Sequence, residues 1–491
     1  MLVHCREFKG SGGSVTARGG SANVALQTVY NAPGFPGGGG RIAIHYETAS
    51  DTSGMTFSVE EGRALKASAN AQDVYAGDAD IGTLWFSDGT FLKFLGTGLS
   101  GQLVNTASEI ELASVSMTFG RVRFVKPGIS VAVSGDVSIS GDARLEFGGD
   151  TPTNRVYDCD LMTTRPWTFS VGGDVTLSGG GRLDLRGAYT NGTTDVSGGT
   201  LSVGGALSVG ADSSLYCWSD VVNGGSPKIF AGSVTVAAGA LVSAENRGFA
   251  GGYNDSYAGT KFLGFGPGGG NNPGWYCQGG GHGGAGGLEG RVDTASTSNG
   301  SHVNDSEYTP ALAGSGGAAT GWARQSAGGG VVHVEAAGTI VVDGTVKVDG
   351  QASANIRGGA GAGGTIYLKC ATFSGASTGV LSANGGNAFD VAVGDGHYGK
   401  SGAGGGGRIA VWTGCDWNGN INSSRLTKGT VPDGLAGFSY LGSATVAGGA
   451  SAMSVSKGTD GSLKDVSCAG SDGTIWFLNF ADPMGMMLLF R

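Results

Sequence analysis

Apolar residues recur at every second position in short runs set between glycines. The clearest runs lie in residues 328–416. In GTIVVDGTVKVDG, Ile340, Val342, Val346 and Val348 alternate with mostly Asp, Thr and Lys. A period of two puts the four on one face of an extended chain. Gly338, Gly344 and Gly350 stand at the run ends, where the chain must turn. The runs are strand-length, and no window carries a sustained helical period or a capping box leading into one.

The same phrase returns along the chain. VSGDVSISGDARLEF (133–147) matches VGGDVTLSGGGRLDL (171–185), VGGALSVGADSSLYC (203–217), FAGSVTVAAGALVSA (230–244) and AAGTIVVDGTVKVDG (336–350), with a fainter copy, TFSVEEGRALKASAN, at 56–70. One such phrase cannot cover its own apolar face. Stacking the next upon it buries that face and pairs the backbone, so the pattern predicts an all-β solenoid with loops of varied length between coils. A β-sandwich array is the competing fold, disfavoured by the scarcity of Asn-Gly hairpin turns.

A longer duplication overlies the short one. CREFKGSGGSVTARGG from Cys5 lines up with the KCATFSGASTGVLSANGG around Cys370. GGGGRIAIHYETAS (37–50) lines up with GGGGRIAVWTG (404–414), and the strand ending DIGTLWF at Phe86 with GTIWF at Phe477. The predicted organisation is a partial solenoid unit over 1–99, coils over 100–247, a glycine- and aromatic-rich insertion over 248–330, and coils beginning a second large unit over 331–491. Met1 enters in mid-phrase and neither end carries a cap, so the chain is expected to be part of a longer repeat array.

Composition narrows the class. Of 491 residues 99 are Gly and 11 Pro, without a strict G-x-y period, which excludes collagen. Hydrophobic residues make up 40% and charged residues 14%, which disfavours disorder. The glycine tracts at 248–330 and 387–407 are either flexible loops or extended, polyproline-II-like rods packed on the solenoid. The repeated GGGGRIA ending favours ordered rods. Net charge is −9 without a Lys/Arg run, so nucleic acid is not an expected partner. No apolar run is long enough for a transmembrane helix, and MLVHCREFKG lacks the apolar centre of a signal peptide. Seven scattered cysteines without CxxC read as small buried residues on strands. No cofactor motif is present: GAGAGG lacks the GK[ST] ending and following helix of a phosphate loop.

The GGGGRIAI-type phrases and the VGGDVTLSGGGRLDL-type repeats resemble those of glycine-rich bacterial surface proteins with autotransporter- or adhesin-like repeats. The resemblance implies a right-handed parallel β-helix, an extracellular or cell-surface location, and no shared catalytic residues.

Candidate chemistry is sparse. Tyr253, Tyr257, Trp275, Tyr276, His282 and Trp322 lie in the glycine-rich insertion, where aromatic side chains can stack on sugar rings or anchor an interface; as a local mini-core they would instead cover the solenoid. Extracellular glycans or cell-surface components are the expected partners. The alternative is a carbohydrate-active enzyme, a lyase or glycoside hydrolase. Its candidates are Asp158, Asp160 and Arg165 in VYDCDLMTTRPW, and Asp395, His397 and Lys400 in a shorter loop with Tyr398. Acidic turns at Asp78, Asp80, Asp343 and Asp349 are more simply turn residues than metal ligands, so no metal is expected. An enzyme should gather several charged groups from neighbouring coils into one groove, whereas a stalk should show Ser, Thr and Asn.

Overall fold

The computed structural model describes residues 1–24, 37–62, 64–66, 80–104, 107–148, 165–188, 197–255, 259–272, 277–288, 290–291, 301–319, 326–354, 357–389, 399–414, 426–429, 434–451, 456–457, 463–464 and 468–480. Among them the chain is all-β, with no α-helix and a single 3-10 turn at Thr90–Phe94. Two long sheets, of 14 and 16 strands, contain most of the strands. Their pairings are parallel, save for the antiparallel strand Leu426–Gly429 on Thr474–Phe480.

From Glu109 onward three strands recur in fixed order. Glu109–Leu112, Val115–Met117 and Arg121–Phe124 are followed by Ser130–Val133, Val137–Ser140 and Arg144–Phe147, and each strand pairs with its counterpart. The order repeats at Trp167–Val171, Val175–Ser178 and Arg182–Arg186, and continues through Thr345–Lys347 and Val380–Ser382. Three faces of stacked strands result. On the first face the inward ladder runs from Ile110 through Val131, Phe169, Leu201 and Ile229. It continues through Val334, Leu368 and Val411 to Phe477. On the third, Val122, Leu145, Leu183, Leu215 and Val242 stack likewise. All are buried, as are Ile340, Val342, Val346 and Val348. Burying such a side chain contributes roughly 1.5–3 kcal/mol, and here each inner member of a ladder meets an apolar residue on both sides.

The corners explain the motif's glycines. Between the second and third faces the chain passes through the left-handed region at Gly141, Gly180, Asp212 and Gly239 in four successive strand sets. Between the first and second faces, Asp136 Oδ1 accepts the Asp174 N–H at 2.9 Å, and Asp174 Oδ1 accepts the Ala206 N–H at 2.7 Å. A Cβ at Gly173 or Gly205 would lie 2.0 Å from those carboxylate oxygens. The G-D-V phrase is thus a stacking device: the Asp before one strand sits against the Gly before its parallel neighbour.

The large duplication is preserved in register. Leu2–His4, Arg41–His45 and Thr83–Phe86 stack in parallel, as do Thr365–Lys369, Arg408–Thr413 and Thr474–Phe480. Ala43 pairs with Leu2 and Trp85; the matching Ala410 pairs with Tyr367 and Trp476. Cys5 donates its N–H to the His45 carbonyl at 3.0 Å, and Cys370 to the Trp412 carbonyl at 2.9 Å.

The glycine tracts form an ordered slab beside the strands. In 402–407, Gly402 and Gly405 donate to Cys277 and Gly280, Ala403 and Gly406 to Cys468 and Ser471, and Gly404 and Gly407 to Gly386 and Ala383. Every third residue faces the same neighbour, which is the period of polyproline II. The tract 359–364 repeats the pattern against 315–318, 402–405 and 348–351. Extended rods of this kind satisfy their backbone groups only through neighbours. A Cβ on Gly404 would lie 1.8 Å from the Gly361 oxygen. Of the cysteines within the described residues, Cys217, Cys277, Cys370 and Cys468 are buried and Cys5 half-buried, but only Cys217 lies on a strand, so the expectation of buried strand residues holds for burial more than for position.

Candidate functional site

The densest chemistry lies on the outward side of the third face. Here Arg121, Arg144 and Arg182 form one register column, and Arg123, Glu146, Asp184 and Tyr216 the next. R-x-E and R-x-D place both side chains on the same side of a strand, and parallel pairing brings successive pairs together. Glu146 takes Arg123 Nε at 2.5 Å, Arg144 Nε at 2.7 Å and Arg121. Asp184 takes Arg182 Nε at 2.8 Å and Arg144 Nε at 2.9 Å. Arg121 also reaches Glu61 at 2.7 Å, and Arg123 reaches Asp80 at 3.3 Å. The ladder ends in aromatic stacking: Arg182 and Arg247 lie 4.0 and 4.3 Å from the Tyr216 ring, and Arg186 and Arg247 lie 4.4 and 4.3 Å from the Trp218 ring.

Glu146, Asp184 and Arg123 are fully buried. Burial alone would raise the Glu146 pKa, but Arg123, Arg144, Arg186 and Arg121 outweigh it and hold the carboxyl far below its ordinary value. Asp184 is lowered too, its burial outweighed by Arg144 and Arg182. Burial also pushes Arg247 down to about 10. Both carboxylates therefore stay ionised at neutral pH, where a general acid would have to hold a proton.

The second face is chemically different. Its outward column reads Ser116, Ser138, Thr176, Ser208, Thr235, Val341, Ser374 and Ser439. Beside it Thr339 and Thr372 share a 2.8 Å hydroxyl contact. A cleft of about 460 Å³ opens between the Thr90–Phe94 turn and strand Glu109–Leu112, lined by Asp88, Lys93, Glu109 and Glu111 among others. Asp88 is already engaged by the Tyr46 hydroxyl and the Thr90 N–H.

Of the aromatic candidates, His282 is fully buried in the glycine slab. Its Nδ1 lies 2.9 Å from the Gly363 carbonyl and its Nε2 3.4 Å from Asp305 Oδ2. It ties two tracts to a loop and is not presented to solvent. Tyr253 lies on a strand paired antiparallel with Gly259–Lys261, its side chain outside the described set. Tyr257, Trp275, Tyr276 and Trp322 lie outside the described residues. So do Asp158, Asp160, Asp395 and His397, while Lys400 is placed by backbone only, opposite Gly290. Arg165 is exposed, and its carbonyl accepts the Gly128 N–H. Asp343 and Asp349 accept from the next strand set, from Ala376 N–H and from Ser382 Oγ and Asn384 N–H. Among the described residues no three His, Cys, Asp or Glu side chains stand together as metal ligands, and no helix is long and apolar enough to cross a membrane.

The arginine–carboxylate ladder went unnoticed in sequence because RVRF, RLEF and RLDL read as strand copies; the signal was an Arg two residues before an acid, repeated at equivalent positions. Compared with family models, curated proteins and solved structures, the chain matches none.

Proposed function

We propose that this chain is a non-enzymatic structural segment of an exported or cell-surface protein. It is a right-handed parallel β-helix, adhesin-like in role, whose glycine- and aromatic-rich loops contact glycans or other surface components. Three strand faces recurring in fixed order support the helix, and the near-universal hand of parallel crossovers supports its handedness. The observation that carries the non-enzymatic role is the second face: its outward column is hydroxyl after hydroxyl, broken only by Val341, with no ionisable group. The test is a glycan array probed with the chain and with its Trp275→Ala/Tyr276→Ala variant. Binding lost in the variant supports the role; no binding, or binding indifferent to the change, removes it.

One observation favours the second reading, a carbohydrate-active enzyme: the third face does gather charged side chains from successive strands. Their burial and mutual pairing argue for a structural ladder instead. Release of reducing ends or unsaturated products from acidic polysaccharides, abolished by Glu146→Gln, would reverse that judgement.

A further inference from the structure

The duplicated strands, Arg41–His45 with Thr83–Phe86 in the 14-stranded sheet and Arg408–Thr413 with Thr474–Phe480 in the 16-stranded sheet, differ in what lies on their outer side. In the C-terminal copy that side is covered by residues 301–312. Arg408 donates from Nε and Nη2 to the Asn304 carbonyl at 3.1 and 2.8 Å, and from Nη1 to Thr474 Oγ1 at 2.8 Å. Trp412 Nε1 donates to the Tyr308 carbonyl at 2.7 Å, and Trp476 Nε1 to Glu307 Oε2 at 3.3 Å. The Tyr308 ring lies 5.4 Å from that of Trp476, above the buried Ala410. The segment holds its own shape: Asp305 accepts the Ser306, Ala311 and Leu312 N–H groups, and Ser306 Oγ those of Tyr308 and Thr309.

In the N-terminal copy the same register positions hold Arg41, Ala43, Thr83 and Trp85, identical to Arg408, Ala410, Thr474 and Trp476. His45 stands where Trp412 stands and also carries a ring N–H. Yet here Arg41 is exposed where Arg408 is buried, Ala43 and His45 are half-buried where Ala410 and Trp412 are buried, and Leu2, the counterpart of buried Tyr367, is 68% exposed; Thr83 and Trp85 are half-buried, as Thr474 and Trp476 are. Among the described residues no side chain pairs with the Arg41 guanidinium.

From this we infer that the outer face of Arg41–His45 and Thr83–Phe86 is a receiving site for a turn-forming Asn-Asp-Ser-Glu-Tyr segment of the 301–312 kind, delivered by another repeat unit of the same type. The occupant is defined by chemistry seen in the duplicate. A backbone carbonyl meets Arg41, a second carbonyl meets the His45 ring N–H, a carboxylate meets Trp85 Nε1, and a tyrosine ring covers Ala43. Units would then be joined by a loop of one clasping the strands of the next.

The test titrates the full chain against a fluorescent peptide of residues 301–312, read by anisotropy. Saturable binding is expected. Arg41→Ala, a surface change that leaves the strand core intact, and Trp85→Ala should each weaken it about tenfold or more, as should Tyr308→Ala in the peptide. Arg408→Ala in the chain should leave the Arg41-dependent binding in place. Absence of saturable binding overturns the inference. So does binding untouched by Arg41→Ala, or binding lost in Arg408→Ala but retained in Arg41→Ala.

Discussion

Replacing Gly404 by alanine tests the glycine slab at one atom. The new Cβ would stand 1.8 Å from the Gly361 oxygen and 2.5 Å from its carbon. Ordinary carbon contacts are about 3.5–4.0 Å, so the rods must part by roughly 1.5 Å. That separation strains or breaks the Gly404 N–H bond to Gly386 at 2.9 Å and the Gly449 N–H bond to Gly404 at 2.8 Å. Overpacking costs about 1–3 kcal/mol and each weakened bond about 1 kcal/mol. Alanine also restricts the unfolded chain, which offsets about 0.4–1 kcal/mol. The net expectation is a loss of roughly 2–4 kcal/mol. It is measured by urea denaturation together with hydrogen exchange across 359–364 and 402–407. Gly20→Ala is the control: its Cβ meets nothing within 4 Å, so the variant should be neutral or slightly stabilised. Gly404→Ala indistinguishable from the parent, with unchanged exchange in both rods, would refute the packed-rod account.

Other predictions follow from the ladder and the corners. Glu146→Ala leaves Arg121, Arg123 and Arg144 facing one another in a buried site and should cost roughly 3–5 kcal/mol by denaturant titration. The folded pKa values of Glu146 and Asp184 lie below their unfolded values of 4.5 and 3.8. Their contribution is therefore complete above the unfolded values and is lost as pH falls toward the folded ones. Glu335, held at about 2 chiefly by its hydrogen bond with His333, acts in the same direction. Denaturation midpoints should fall steeply below about pH 4.5, and less steeply in Glu146→Gln. Asp212→Gly relieves a left-handed aspartate at a corner where glycine serves in the neighbouring strand sets and should stabilise by up to about 1 kcal/mol in thermal melts.

Much of the fold was legible because its signal is strictly local and repeated. The alternation of Ile340, Val342, Val346 and Val348 fixes which side faces inward, and stacking does the rest. The pairing of Arg41 with Arg408 read from sequence reappears as identical strand register. The glycine tracts were legible only as a choice between loop and rod, since what orders 402–407 is three distant neighbours rather than anything inside the tract. The ladder around Glu146 was hidden for the same reason. Each R-x-acid pair is ordinary alone, and the chemistry arises when the strands pair. His282 misled because a histidine among glycines suggests exposure, whereas glycine rods can enclose it completely.

The central claim is that strands far apart in sequence form one continuous parallel stack, and distances along the hydroxyl column test it most directly. Spin labels replace Ser116, Thr235 and Ser439, all exposed and all in that column. Thr235 lies four pairings from Ser116, and Ser439 seven. At ~4.8 Å per pairing, pulsed electron resonance should find Ser116–Thr235 near 19 Å and Ser116–Ser439 near 34 Å in backbone terms, each as a narrow distribution. A Ser116–Ser439 separation no longer than the Ser116–Thr235 one, or a broad spread for either pair, would contradict the stack.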